Sequence, residues 1–303
     1  MKLIRYFAVS TFAVFILLFF TACNIFTNPT AFLEWEPDGS GGVVITGYTG
    51  SGGAVVIPNE ISGYPVRAIG EGAFSLSDLT SVNIPYGVTY IGDLAFAGNR
   101  LSSVVLLSSV ISIGDWAFFR NHLTSVTIPD SVTSIGDWAF RENHLTSVII
   151  PSSVSSIGKG VFAENRLSSV SIPESIVTIE FGAFSANHLT NVTIPNSVTY
   201  IGADAFNSNH LTSVTIPNSV TYIGDGAFGR NHLTSVTIPS SVTSIGAWAF
   251  ANNYYLTTIT IGANVVLGYR AFDWGFEAAY IAYGRAAGTY TRPHYSSFDW
   301  VRR

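Results

Sequence analysis

The amino-acid sequence predicts an α/β repeat solenoid that is mostly β, built from about ten 22-residue coils with a short parallel strand in each and a cap at either end. Three observations predict it. Phe74, Phe96, Phe118, Phe140, Phe162, Phe184, Phe206, Phe228, Phe250 and Phe272 stand 22 residues apart without exception. The nonapeptide NHLTSVTIP is spelled identically at 121–129, 209–217 and 231–239. Repetition at a fixed interval is the mark of an array, in which no single unit can bury its own apolar face. Finally, 48% of residues are hydrophobic and only 11% charged, as suits coils that mostly face one another.

Residues 123–144 (LTSVTIPDSVTSIGDWAFRENH) show one coil cleanly, with Leu123 as position 1. Positions 1, 4, 6, 10, 13, 17 and 18 are apolar in every copy. Positions 4 and 6 alternate with Ser or Thr, the period-two signature of a strand with one buried face. Pro at position 7 has no N–H for a ladder and ends that strand. Gly at position 14, replaced only by Glu180, reads as a tight turn requiring positive φ. Asn at position 21 (Asn99, Asn121, Asn143, Asn165, Asn187, Asn209, Asn231 and Asn253) carries both a donor and an acceptor. Such a row can form a hydrogen-bonded structural ladder between coils, satisfying backbone groups that a buried turn leaves over. An extra Tyr before Leu256 is compensated before Leu267, so the count survives with a slightly distorted coil.

The unit LxxVxIPxxVxxIGxxAFxxNx resembles the treponemal, or BspA-like, class of leucine-rich repeat, over about Val55 to Phe272. The resemblance implies a curved horseshoe with LTSVTI as the strand on one face. It also implies a cell-surface or secreted bacterial protein that binds other macromolecules, with no catalytic residues. One departure is that the residue before the strand, often Cys in relatives, is Asn throughout.

The segments outside the array divide as follows. Residues 1–22 read as a lipoprotein signal peptide: Lys2 and Arg5 precede an apolar run from Tyr6 to Phe20, too short to span a bilayer. Cys23, the sole cysteine, sits where a bacterial lipobox places its acylated residue, although Phe20 stands where Leu is usual. Residues 23–36 read as a tether, and 37–78 as an N-terminal cap with an expanded first coil, since exposed edges and apolar faces need covering. The array proper is 79–272. Residues 273–303 read as a C-terminal cap, with Phe276, Tyr280, Tyr283 and Ala287 at helical spacing and an aromatic strand after them.

The net charge of −5 and the lack of a Lys/Arg cluster exclude nucleic acid and electrostatic attachment to lipid. No cofactor motif appears, and contact with a membrane is expected only through the N-terminal lipid. Candidate partner-binding residues are Trp116, Trp138 and Trp248 at position 16, which are strong anchors when exposed. The Ser/Thr field of the strand face adds Thr124, Thr127, Thr212 and Thr215. The histidine row His122, His144, His188, His210 and His232 reads as solvated turn residues and not as a metal site, because Arg100 and Arg166 replace it in two coils. The favoured function is a non-catalytic, lipid-anchored surface protein at the outer membrane or cell surface, binding a protein or glycan ligand of host origin. The alternatives are a self-associating surface layer, or a carbohydrate-processing enzyme using the aromatic C-terminal tail.

Overall fold

The computed structural model describes residues 30–273, 275–294 and 296–303. The signal segment 1–22 and Cys23 lie outside these residues. From Gly53 onward the chain winds as stacked coils carrying two parallel ladders. One uses the LTSVTI segment, with strands Leu79–Asn83, Ser147–Ile149, Ser169–Ser171, Ser235–Thr237 and Thr258–Ile261 and single bridges at Thr193, Thr215 and Thr237. The other uses positions 12 and 13 (Tyr90–Ile91, Ser112–Ile113, Ser134–Ile135 and their counterparts to Val266–Leu267) and is the more regular of the two. Each of its strands is two residues long, too short for a period-two pattern to reveal.

Between the ladders lies the core. All ten repeat phenylalanines are buried, and their rings stack with centroids 4.9 to 5.8 Å apart. Tyr48 covers the stack at one end and Phe276 at the other. The widest spacings, 5.8 Å, flank Phe162. There position 17 is Val161, whereas the other coils have Ala. Its extra methyl groups coincide with a break in the second ladder, between Ile135 and Ile157.

The turn after position 13 corrects one sequence expectation. The glycines at position 14 do not have positive φ. Except at Gly158, they are required because neighbouring backbone passes too close: a Cβ on Gly202 would lie 2.7 Å from Glu180 C and 2.8 Å from Phe181 N. Where Glu180 takes this position, its N–H reaches Ile157 O at 3.0 Å, against 2.8 Å for Gly202 to Ile179. The left-handed residues are instead at positions 16 and 20, among them Trp116, Trp138, Asp204, Trp248, Glu142, Ala186 and Arg230. These two reversals turn the N–H groups of positions 16, 18 and 20 toward the following coil, as in Trp116 to Asp137 O, Phe118 to Ala139 O and Arg120 to Arg141 O.

Both caps extend a ladder with antiparallel strands. Leu33–Pro37 pairs with Val43–Tyr48, which joins the second ladder through Tyr64–Ile69. This strand lies largely inside the segment assigned to the tether, where Leu33 is buried and anchors it. The extra residues of the first coil form a hairpin, Glu60–Ile61 against Tyr64–Pro65, turning at Ser62 and Gly63 with positive φ. At the other end the helix Phe276–Ala282 lies on the last coil, ending before Ala287, and Gly288–Thr291 pairs antiparallel with Thr258–Ile261. Arg292, buried, donates to Leu256 O at 2.8 Å, occupying a carbonyl that elsewhere accepts an N–H from the next coil. No helix among the described residues is long and apolar enough to cross a membrane.

The two turn positions predict opposite responses. Gly202→Ala is expected to cost about 1–3 kcal/mol by forcing backbone apart. Ala186→Gly at a left-handed position should hold stability or add up to about 1 kcal/mol. Thermal melts of both variants check this; equal effects would contradict the assignment of close approach to position 14.

Candidate functional site

Most recurring polar side chains are occupied in joining coils. Asn121 accepts from Leu101 N–H at 3.0 Å and donates to Phe96 O at 2.9 Å and Phe118 O at 3.2 Å. The pattern repeats through Asn253, and all eight amides are buried. The amides bond to backbone and not to one another, so the row joins successive main chains. The recurring acids Asp93, Asp115, Asp137 and Asp225 each accept the position-15 N–H one coil further on, at 2.7 to 2.8 Å. Five serines at position 9 hook the previous coil, as Ser175 does on Val154 O at 2.6 Å, whereas the buried hydroxyls of Ser109 and Ser241 find no partner among the described residues.

The candidate residues fall on different faces. Thr124, Thr127, Thr212 and Thr215 are exposed on the strand face. The histidines line its border, with His122–His144, His188–His210 and His210–His232 ring centroids 5.4, 5.2 and 5.5 Å apart. No group of three or more His, Cys, Asp or Glu among the described residues converges as a metal site would. The tryptophans lie on the left-handed turns. Trp116 and Trp138 stack at 5.4 Å with Arg141 across Trp138, and Arg141 pairs with Glu142 and Glu164. Trp248, 50% exposed, stands apart and meets Tyr269 edge-on. A left-handed conformation costs a non-glycine residue roughly 1–2 kcal/mol, so the backbone at position 16 favours Gly and each tryptophan there sits at a conformational cost.

Sequence reasoning missed what lies between Trp138 and Trp248. Four consecutive coils carry small or acidic residues at position 16 (Gly160, Gly182, Asp204 and Gly226), leaving an open groove of about 890 Å³. Trp138 lies across Gly160, and Phe181 meets its edge at 6.0 Å. Burial, and then the charge of Asp225, raises the Asp204 carboxyl above its ordinary value, while Arg230 acts the other way. The run of Gly at position 16 was the available signal. In the aromatic tail, Tyr290 and Trp300 are buried against Phe276, so these rings seal the last coil and form no open site.

Two ladders, a ring-stacked core and capped ends define a leucine-rich repeat solenoid. The model for the BspA type leucine rich repeat region matches residues 67–188 and 156–275 in six copies, and the chain belongs to this family. It is similar to the crystal structure of a leucine-rich repeat protein from Bacteroides ovatus, with 26% identity and a TM-score of 0.67 over 80% of this chain and 67% of that one. It is similar also to a leucine rich cell surface protein from Faecalibacterium prausnitzii, with 30% identity and a TM-score of 0.64 over 80% and 72%. No curated protein matches it in sequence.

Burial, followed by the charges of His188 and His232, holds the His210 imidazole below its ordinary value of 6.5. Above about pH 6.5 it is neutral folded or unfolded. On acidification the unfolded chain binds the proton first, so stability falls below that pH and levels off once folded His210 is charged. His210→Gln is expected to lose less melting temperature than the parent between about pH 7.5 and about pH 5.5; an identical loss would remove the row from the account.

Proposed function

We propose that the protein is an exported, non-catalytic surface protein, anchored by lipid at Cys23, that holds other macromolecules on its repeat array. One observation carries the reading. The buried asparagines of the coil are consumed in joining coils, whereas side chains that differ between coils gather on the edge formed by the left-handed turns. At positions 16 and 20 the sequence runs from Trp116 and Arg120 through Gly160 and Glu164 to Asp204 and Ser208. A scaffold held constant beneath a varied surface suits recognition. The Faecalibacterium relative, described as a cell surface protein, supports export. The apolar run before Cys23 and the lack of a second cysteine support acylation there.

Two measurements test the reading. Cys23→Ser should leave the protein unprocessed or soluble, since no other thiol can take a diacylglyceryl group; partition into a detergent phase as for the parent would rule out the anchor. The delipidated chain should scatter light as a monomer and bind immobilised mucins or matrix proteins. Self-association without binding would favour a surface layer instead.

A further inference from the structure

The groove on the left-handed edge has a composition of its own. Its ends are aromatic: Trp138 with Phe181 on one side, the exposed Trp248 on the other. Its middle is polar. The Asp204 carboxylate makes no hydrogen bond or ion pair with any described residue, although it is half-buried. Asp225 uses Oδ1 for Ala247 N–H and has its second oxygen to spare. Arg230 lies near enough to act on Asp204 electrostatically yet forms no ion pair.

These groups select a ligand chemistry. Flat rings present apolar faces, suited to the C–H face of another ring. Carboxylate acceptors beside a guanidinium donor, nearly balanced in charge, favour groups that both donate and accept, which describes a hydroxyl. A cationic peptide would be opposed by Arg230, and an anionic polymer by Asp204 and Asp225. The groove is open and crosses several coils spaced about 4.8 Å apart, a step comparable to one sugar ring in a chain. We propose that the groove between Trp138 and Trp248 binds a linear, uncharged oligosaccharide, with the aromatic residues stacking on sugar rings and Asp204 accepting from their hydroxyls. This rests on the recognition reading above and identifies its ligand class and its edge.

The test uses the delipidated chain with tetra- to hexasaccharides of N-acetylglucosamine and of β-linked glucose, measured by calorimetry. Trp248→Gly removes the ring while relieving a left-handed backbone, so its melting temperature should hold or rise, which separates loss of binding from loss of fold. Asp204→Asn keeps shape, removes the charge and replaces one of the two acceptor oxygens with a donor. Each is expected to weaken binding by at least about tenfold, while Asn196→Ser, at an exposed turn outside the groove, leaves it unchanged. Failure of the parent to bind any of these saccharides would overturn the proposal, as would parent-like binding by both groove variants. A lysine-rich peptide bound in their place, and lost in the same variants, would replace the ligand class and leave recognition standing. Binding to mucin or matrix protein unaffected by either variant would move the site to another face, and no binding to any of these probes would sink both readings.

Discussion

Every coil of this protein is mostly irregular backbone laid against irregular backbone, and its buried N–H and C=O groups must find partners in the coils on either side. An unpaired buried backbone group costs about 1–3 kcal/mol, so a chain with this many coils tolerates few lapses. The requirement explains the repeat more completely than hydrophobic packing does. Position 14 is Gly because coils must approach within hydrogen-bonding reach. Positions 16 and 20 turn left-handed because alternate N–H groups must face forward. Asn at position 21 serves the leucine N–H and phenylalanine carbonyls that this geometry leaves over. The phenylalanine stack fills the space that the spacing defines.

The same constraint accounts for what may vary. A side chain on the outer edge of the left-handed turns contributes little to coil joining, so Trp138, Gly160, Gly182, Asp204 and Gly226 can follow one another on one backbone path. Variation there shapes a groove without disturbing the core. The caps obey the rule at the ends: Arg292 and Tyr280 supply hydrogen bonds to Leu256 and Gly262 that a further coil would otherwise give.

Much of this was legible in the sequence. The 22-residue period named the core positions, and a polar amide recurring among apolar neighbours marked a buried, bonded group. The role of position 14 was not legible, because a recurring Gly has the same letter whether φ or close approach demands it. The true left-handed positions hold Trp, Asp, Arg and Glu in turn, which masks them. Leu33 was placed in a tether because its strand partner is not adjacent in composition, only in space. The groove escaped notice because it is made by missing side chains between two tryptophans 110 residues apart.

The claim that side-chain amides complete the backbone pairing of successive coils is tested most directly by amide hydrogen exchange at Leu145. Its N–H donates to Asn165 Oδ1 at 3.0 Å, while Asn165 Nδ2 serves Phe140 O and Phe162 O. In Asn165→Ala, Leu145 should lose its protection, and stability should fall by about 1–3 kcal/mol as that N–H is left unpaired, while Phe140 O and Phe162 O keep Asn143 and Asn187 as donors. Leu145 exchanging as slowly in the variant as in the parent, with stability unchanged, would contradict it.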